Sequence, residues 1–136
     1  MAAGNDRLML DTNAVSGLLK RRSPRLDTWV REQSCCLSAI VVAEIRYGLE
    51  KLPPTSRLQR RLQELAEATI ETLEILPWSE ACTRIHSRLR ADLERHGKPL
   101  AAMDLLIASH AISEGCALVT ADQAFANVAE LSLEAW

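Results

Sequence analysis

Apolar residues in this chain fall into short runs of three or four and longer stripes at helical spacing, and the two patterns alternate from end to end. The first run, Leu8-Met9-Leu10, leads straight into Asp11-Thr12-Asn13, ahead of helix-compatible sequence over 14–22. That is the pattern of a buried strand opening onto a helix. Pro24 starts a second short helix, with Leu26, Trp29 and Val30 on one face. A second strand follows over 35–38, and Ser38 caps a helix over 39–52 striped by Val41, Val42, Ile45 and Leu49. Pro53 and Pro54 then break the chain. Ser56 and Gln59 have capping-box spacing for a helix over 57–68, along which Leu58, Leu62 and Leu65 share a face. A leucine stripe of this kind reads as core before it reads as a partner surface.

The second half repeats the alternation. Residues 73–76 make a third strand closed by Pro77, and 79–96 make a long amphipathic helix carrying Arg84, Arg88 and Arg95. Gly97 and Lys98 end it, and Pro99 suits the first turn of the next helix. That helix, 100–112, is apolar nearly all round and should be buried, with one acid inside it, Asp104. Gly115 stops it, and 117–119 form a short apolar strand. Thr120-Ala121-Asp122-Gln123 then repeats the opening, a hydroxyl and a carboxylate after a strand, with Thr120 and Gln123 at capping-box spacing. Leu131 and Leu133 alternate in the tail as an edge strand would. Strands alternating with helices predict an α/β fold, a central sheet flanked by helices.

A length of 136 residues fits one domain, spanning 1–136, with room for a proper core. Aromatic residues make up only 4%, which disfavours base-stacking platforms for single strands. No run reaches membrane-spanning length, and residues 1–6 lack the basic and apolar parts of a signal peptide, so the expected location is the cytoplasm. Cys35, Cys36, Cys82 and Cys116 show no Cys-x-x-Cys spacing and read as small buried hydrophobes. The net charge of −2 means that any work on phosphates must draw positive charge locally, from clustered arginines or from metal.

The candidate chemistry lies in four acids. Asp11 stands where open α/β sheets place their sites, beyond a strand's carboxyl end, although an aspartate there also caps a helix. Asp122 repeats that position. Glu44 borders an apolar stripe, where a surface glutamate is the plainer account. Asp104, set in an apolar helix, would be the costliest to bury and needs either an arginine or a metal as partner. With parallel strands all four can converge at one end of the sheet. Clustered carboxylates repel one another and raise each other's pKa, which a divalent ion relieves. An all-oxygen set favours Mg²⁺ or Mn²⁺, one ion or two, over zinc. Such ions support phosphodiester hydrolysis by activating water and steadying the leaving oxygen. His86, His96 and His110 form no triad or histidine pair.

Four segments, 10–16, 38–48, 103–111 and 118–125, resemble in order the motifs of PIN-domain nucleases and, more narrowly, of VapC toxins from bacterial VapBC toxin–antitoxin pairs. The resemblance implies a PIN-like fold with a central parallel sheet and Mg²⁺- or Mn²⁺-dependent endoribonuclease activity, with tRNA or ribosomal RNA as the usual class of target. It also implies neutralisation by a cognate VapB-type antitoxin, a homodimer, and contact with operator DNA only through the antitoxin. By position Asp11, Glu44, Asp104 and Asp122 match the acidic quartet, with Asn13 and Thr120 in support. Ala121 departs from the asparagine often found there, which bears on the support of Asp122. Arg84 and Arg88 are candidates to track an RNA backbone. Two other classes compete. A haloacid-dehalogenase-type phosphatase wants a second aspartate where this chain has Asn13. A degenerate PIN module would act only as a partner, which the intact quartet argues against.

Overall fold

Met9 and Leu10 are wholly shielded from solvent because their strand, β1 (Arg7–Leu10), is the middle one of five. The computed structural model describes residues 7–136, so residues 1–6 and their expected lack of a leader fall outside the description. In chain order β1 is followed by α1 (Thr12–Leu19), α2 (Pro24–Glu32), β2 (Ser34–Ser38), α3 (Ala39–Glu50), α4 (Arg57–Glu71) and β3 (Glu74–Leu76). Then come α5 (Glu80–Arg95), α6 (Ala102–Glu114), β4 (Ala117–Val119), a 3-10 turn (Gln123–Asn127) and β5 (Leu133–Glu134). The strands lie in the order β3-β2-β1-β4-β5, and every pairing is parallel. Parallel strands are covered on both faces, which is why β1 and β4 read as unbroken apolar runs. Among the described residues, no helix is long and apolar enough to cross a membrane.

This order locates the crevice. The connections β1→β2→β3 step outward to one side, whereas β3→β4→β5 cross back and step outward to the other. Sites of open α/β sheets form where that direction reverses, beyond the carboxyl ends of the strands. Here that point lies between β1 and β4, whose last residues, Leu10 and Val119, are in register.

Ser38 and Ser56, read as caps in the sequence, and Ser23, which was not, each accept a backbone N–H from the helix they start. At α4 the box closes one residue early: Gln59 Oε1 accepts from Thr55 N–H, and its Nε2 donates to the Leu49 carbonyl. Gly115 ends α6 in the left-handed region, at φ +67°.

Four expectations need correction. Pro99 does not open a helix, because α6 begins at Ala102, behind Ala101. Thr120 is not the cap of the last turn; Asp122 is, accepting from Ala124 N–H. The leucine stripe of α4 is not core. Ala66 and Ile70 are the buried residues, Leu58 is 58% and Leu65 44% exposed, and Leu62 is half-buried. Helical spacing shows which side chains share a face, not which face the neighbours cover. Finally, α6 is buried only from Leu105 onward, so Asp104 in its first turn is half-buried rather than enclosed.

The tail locks the near side. Trp136 lies so close over Gly17 that a Cβ there would sit 2.6 Å from its ring, and Arg25 Nη1 donates to the Ala135 carbonyl.

Candidate active site

Asp11 leaves β1 at the crevice, with its N–H bonded to the Val119 carbonyl of β4 at 3.1 Å. Its Oδ1 accepts the Ala14 N–H at 2.7 Å, so it caps α1 while standing at the strand tip. The register puts Thr120, not Asp122, directly beside it. The Thr120 hydroxyl hydrogen-bonds Asp11, and its oxygen accepts the Asp122 N–H at 3.0 Å. One threonine thus joins two of the acids.

Glu44 reaches in from α3 and takes the Thr12 hydroxyl on Oε1 at 2.5 Å. Asp104 comes from the first turn of α6. Its side chain makes no hydrogen bond or ion pair among the described residues. The arginine that a structural aspartate would need is therefore missing from its surroundings.

Asp11 and Asp104 feel the charge of their acidic neighbours. Burial is the main cause that raises the Asp11 pKa, the Thr120 hydroxyl and Ala14 amide pull it back, and Asp122 and Glu44 push it up again. Asp104 is raised by burial first and then by Asp122, Glu44 and Asp11. No cation among the described residues offsets either group. Asp11, only 5% exposed, and not Asp104, is the most deeply buried acid.

The described residues hold no group of three or more His, Cys, Asp or Glu side chains already closed to ligating distance. Asp11, Glu44 and Asp122 each turn an oxygen onto a donor of the chain itself. The donor set, hard oxygens with surplus negative charge, still fits Mg²⁺ or Mn²⁺.

Asn13 is exposed and makes no side-chain hydrogen bond among the described residues. Arg84 and Arg88 stand on α5, Arg84 3.6 Å from Glu80 and Arg88 bidentate to Glu130 at 2.8 and 3.0 Å. The residue missed from sequence is Thr12. Its only signal was the placement of a hydroxyl next to Asp11, since the partner lies on another helix.

A family model described as PIN domain matches residues 8–131. The chain belongs to the PIN-domain family. This PIN domain is 34% identical to Ribonuclease VapC2 of Rickettsia felis, with 94% of this chain and 96% of that one covered. It is 30% identical to the tRNA(fMet)-specific endonuclease VapC of Shigella flexneri, over 96% and 98% of the two chains. A crystal structure of VapBC2 from Rickettsia felis bound to a promoter DNA fragment matches it at 32% identity with a TM-score of 0.85, covering 96% of this chain and 98% of that one. The central parallel sheet that the resemblance implied is present, with five strands, and the fold matches that solved structure.

Proposed function

We propose that this PIN domain is the endoribonuclease toxin of a VapBC-type pair, cleaving RNA phosphodiester bonds with Mg²⁺ or Mn²⁺ held by Asp11, Glu44, Asp104 and Asp122. The observation that carries this is the convergence of four carboxylates from four separate segments, with no counter-cation for Asp11 or Asp104 among the described residues. When bound, one or two such ions supply charge neutralisation at phosphorus and activation of water. The chain's own residues prepare for them. The Thr120 hydroxyl and the Ala14 amide favour the carboxylate of Asp11 and offset part of the rise that burial causes, and Thr12 aims Glu44. Unpaired Asp104 keeps its oxygens available.

The substrate is RNA, with tRNA the first class to test, in keeping with the tRNA(fMet)-specific endonuclease of Shigella flexneri that this chain resembles. Arg84 and Arg88 are proposed phosphate contacts, which requires that Arg88 exchange Glu130 for phosphate. The setting is the bacterial cytoplasm, the form a homodimer, and the partner a VapB-type antitoxin through which operator DNA is reached. A groove of about 300 Å³ between α1 and α3 runs from Thr12 and Glu44 past Ser16, Leu19, Gly48 and Leu52. It suits an apolar antitoxin segment that ends in a basic side chain at the acids.

The purified protein should cleave tRNA with Mn²⁺, lose activity with chelator, and lose it again as Asp11→Asn. Antitoxin binding without any cleavage would instead make it a partner-only module. Cleavage that survives chelator would overturn the metal assignment.

A further inference from the structure

His110 is wholly buried on α6, outside the acidic cluster, and its Nδ1 lies 2.7 Å from Ser38 Oγ. Ser38, equally buried, already accepts the Ile40 N–H at 3.1 Å as the cap of α3. Its own hydrogen is therefore available to Nδ1, which leaves the ring proton on Nε2. That atom has no hydrogen-bond partner among the described residues. Burial depresses the His110 pKa, so the ring is neutral. One turn earlier on α6, the Leu106 carbonyl accepts the Trp78 indole N–H at 3.0 Å. Ser38 and Leu76, the last residues of β2 and β3, are in register. Two polar ties thus fasten one stretch of α6 to the chain leaving those neighbouring strands.

The placement of this joint matters. Asp104 lies six positions before His110 on α6, and Glu44 six positions after Ser38 on α3. At 1.5 Å rise per residue, each acid sits about 9 Å along a rigid helix from the joint. A slip or rotation of α6 against α3 there is carried directly to the gap between the two carboxylates. Apolar packing alone fills the space but leaves such a slip cheap. A hydrogen bond between buried partners fixes it, because breaking it leaves both unsatisfied.

We propose that His110 is a positioning residue of the nuclease: its bond to Ser38 sets Asp104 against Glu44 and thereby the affinity of the site for divalent metal. This rests on the metal-binding role of the four acids, and the test separates the two ideas.

Mn²⁺ binding is measured by titration, following the electron paramagnetic resonance of free Mn²⁺, on the wild type and on His110→Asn, His110→Leu, Ser38→Ala, the Ser38→Ala/His110→Leu double variant and Asp104→Asn. Asparagine places an acceptor where Nδ1 was and should keep affinity within about threefold. His110→Leu and Ser38→Ala should each weaken Mn²⁺ by about tenfold, the lower end for groups that orient metal ligands. The double variant should be no weaker than the worse single, because one bond is removed in all three. If His110→Leu does not fold, Ser38→Ala and His110→Asn carry the comparison. Variants that melt lower yet bind Mn²⁺ like wild type would make His110 merely structural and overturn the proposal. A wild type that binds no Mn²⁺ would remove the metal role of the acids, and this inference with it.

Discussion

Thr12 donates its hydroxyl to Glu44 across 32 positions of sequence, at 2.5 Å. The residue after one acid thus holds another, and α1 and α3 meet through the site itself. A charged acceptor makes this bond stronger than one between neutral groups. Thr12→Val keeps the shape and removes the donor, whereas Thr12→Ser keeps both. Cleavage by Thr12→Val should fall about tenfold or more, with weaker Mn²⁺ binding, and Thr12→Ser should stay near wild type. Equal rates for the two variants would make the contact incidental.

Asp11 is buried, and that burial raises its pKa. Asp11→Asn preserves the cap, because asparagine also accepts from the first turn of a helix, and removes one charge from a crowded site. The metal-free variant should melt no lower than metal-free wild type near neutral pH, while cleavage disappears. Saturating Mn²⁺ should stabilise wild type by about 2.7 kcal/mol at a hundredfold excess over Kd. With an unfolding entropy of about 2.1 cal/mol/K per residue, that is a rise of roughly 8–10 °C. The variant should show a clearly smaller rise. A large loss of metal-free stability would mean that a cation partners Asp11 after all.

The sequence exposed the scaffold of this site better than its interior. Strand runs ending in Asp11 and near Asp122 were readable because a buried parallel strand is apolar throughout and its end must turn polar. Caps at Ser38 and Ser56 were readable because capping is local. Burial of Asp104 was overestimated because an all-apolar helix still begins in solvent when its first turn projects beyond the sheet. The exposed Leu58 and Leu65, and the bonds Thr12–Glu44 and Ser38–His110, depend on which elements meet. Periodicity along one segment carries no trace of that.

The groove gives a separable prediction. Gly48 lies within α3, and a Cβ there meets nothing within 4 Å. Gly48→Ala should therefore stabilise the protein by about 0.5–1 kcal/mol through helix propensity alone. Gly48→Phe should fill the groove and weaken antitoxin neutralisation in a co-expression growth assay, with cleavage by the free protein retained. Unimpaired neutralisation would move the antitoxin contact elsewhere.

Trp136 and Gly17 form a lock that a double-variant cycle can read. In Gly17→Ala the new methyl meets the indole, and overpacking of this kind costs about 1–3 kcal/mol. Trp136→Ala loses the ring's packing but leaves space for that methyl. The double variant should therefore lie above the sum of the singles by about 1 kcal/mol or more in chemical denaturation. Simple additivity would show that the tail moves aside at little cost.

The raised pKa values of Asp11 and Asp104 fix the sign of a pH effect. Both carboxyls hold a proton more tightly in the fold than in the unfolded chain, whose reference value is 3.8. The stabilisation they give is fully present below that value and is lost as pH rises through their folded values. Metal-free wild type should therefore lose ground to Asp11→Asn as pH climbs from about 4 towards 7, with a plateau once both acids are ionised. His110 acts in the opposite sense, since its depressed pKa makes stability fall as pH drops below its reference 6.5. Because that contribution is common to wild type and variant, it cancels in their difference. Saturating Mn²⁺ should reverse the trend, since protons compete with the ion and binding strengthens as the carboxylates ionise. Denaturation midpoints of the two proteins, taken across that range with and without Mn²⁺, give four curves. A wild-type deficit that shrinks with rising pH in the metal-free pair would contradict a crowded, cation-free cluster.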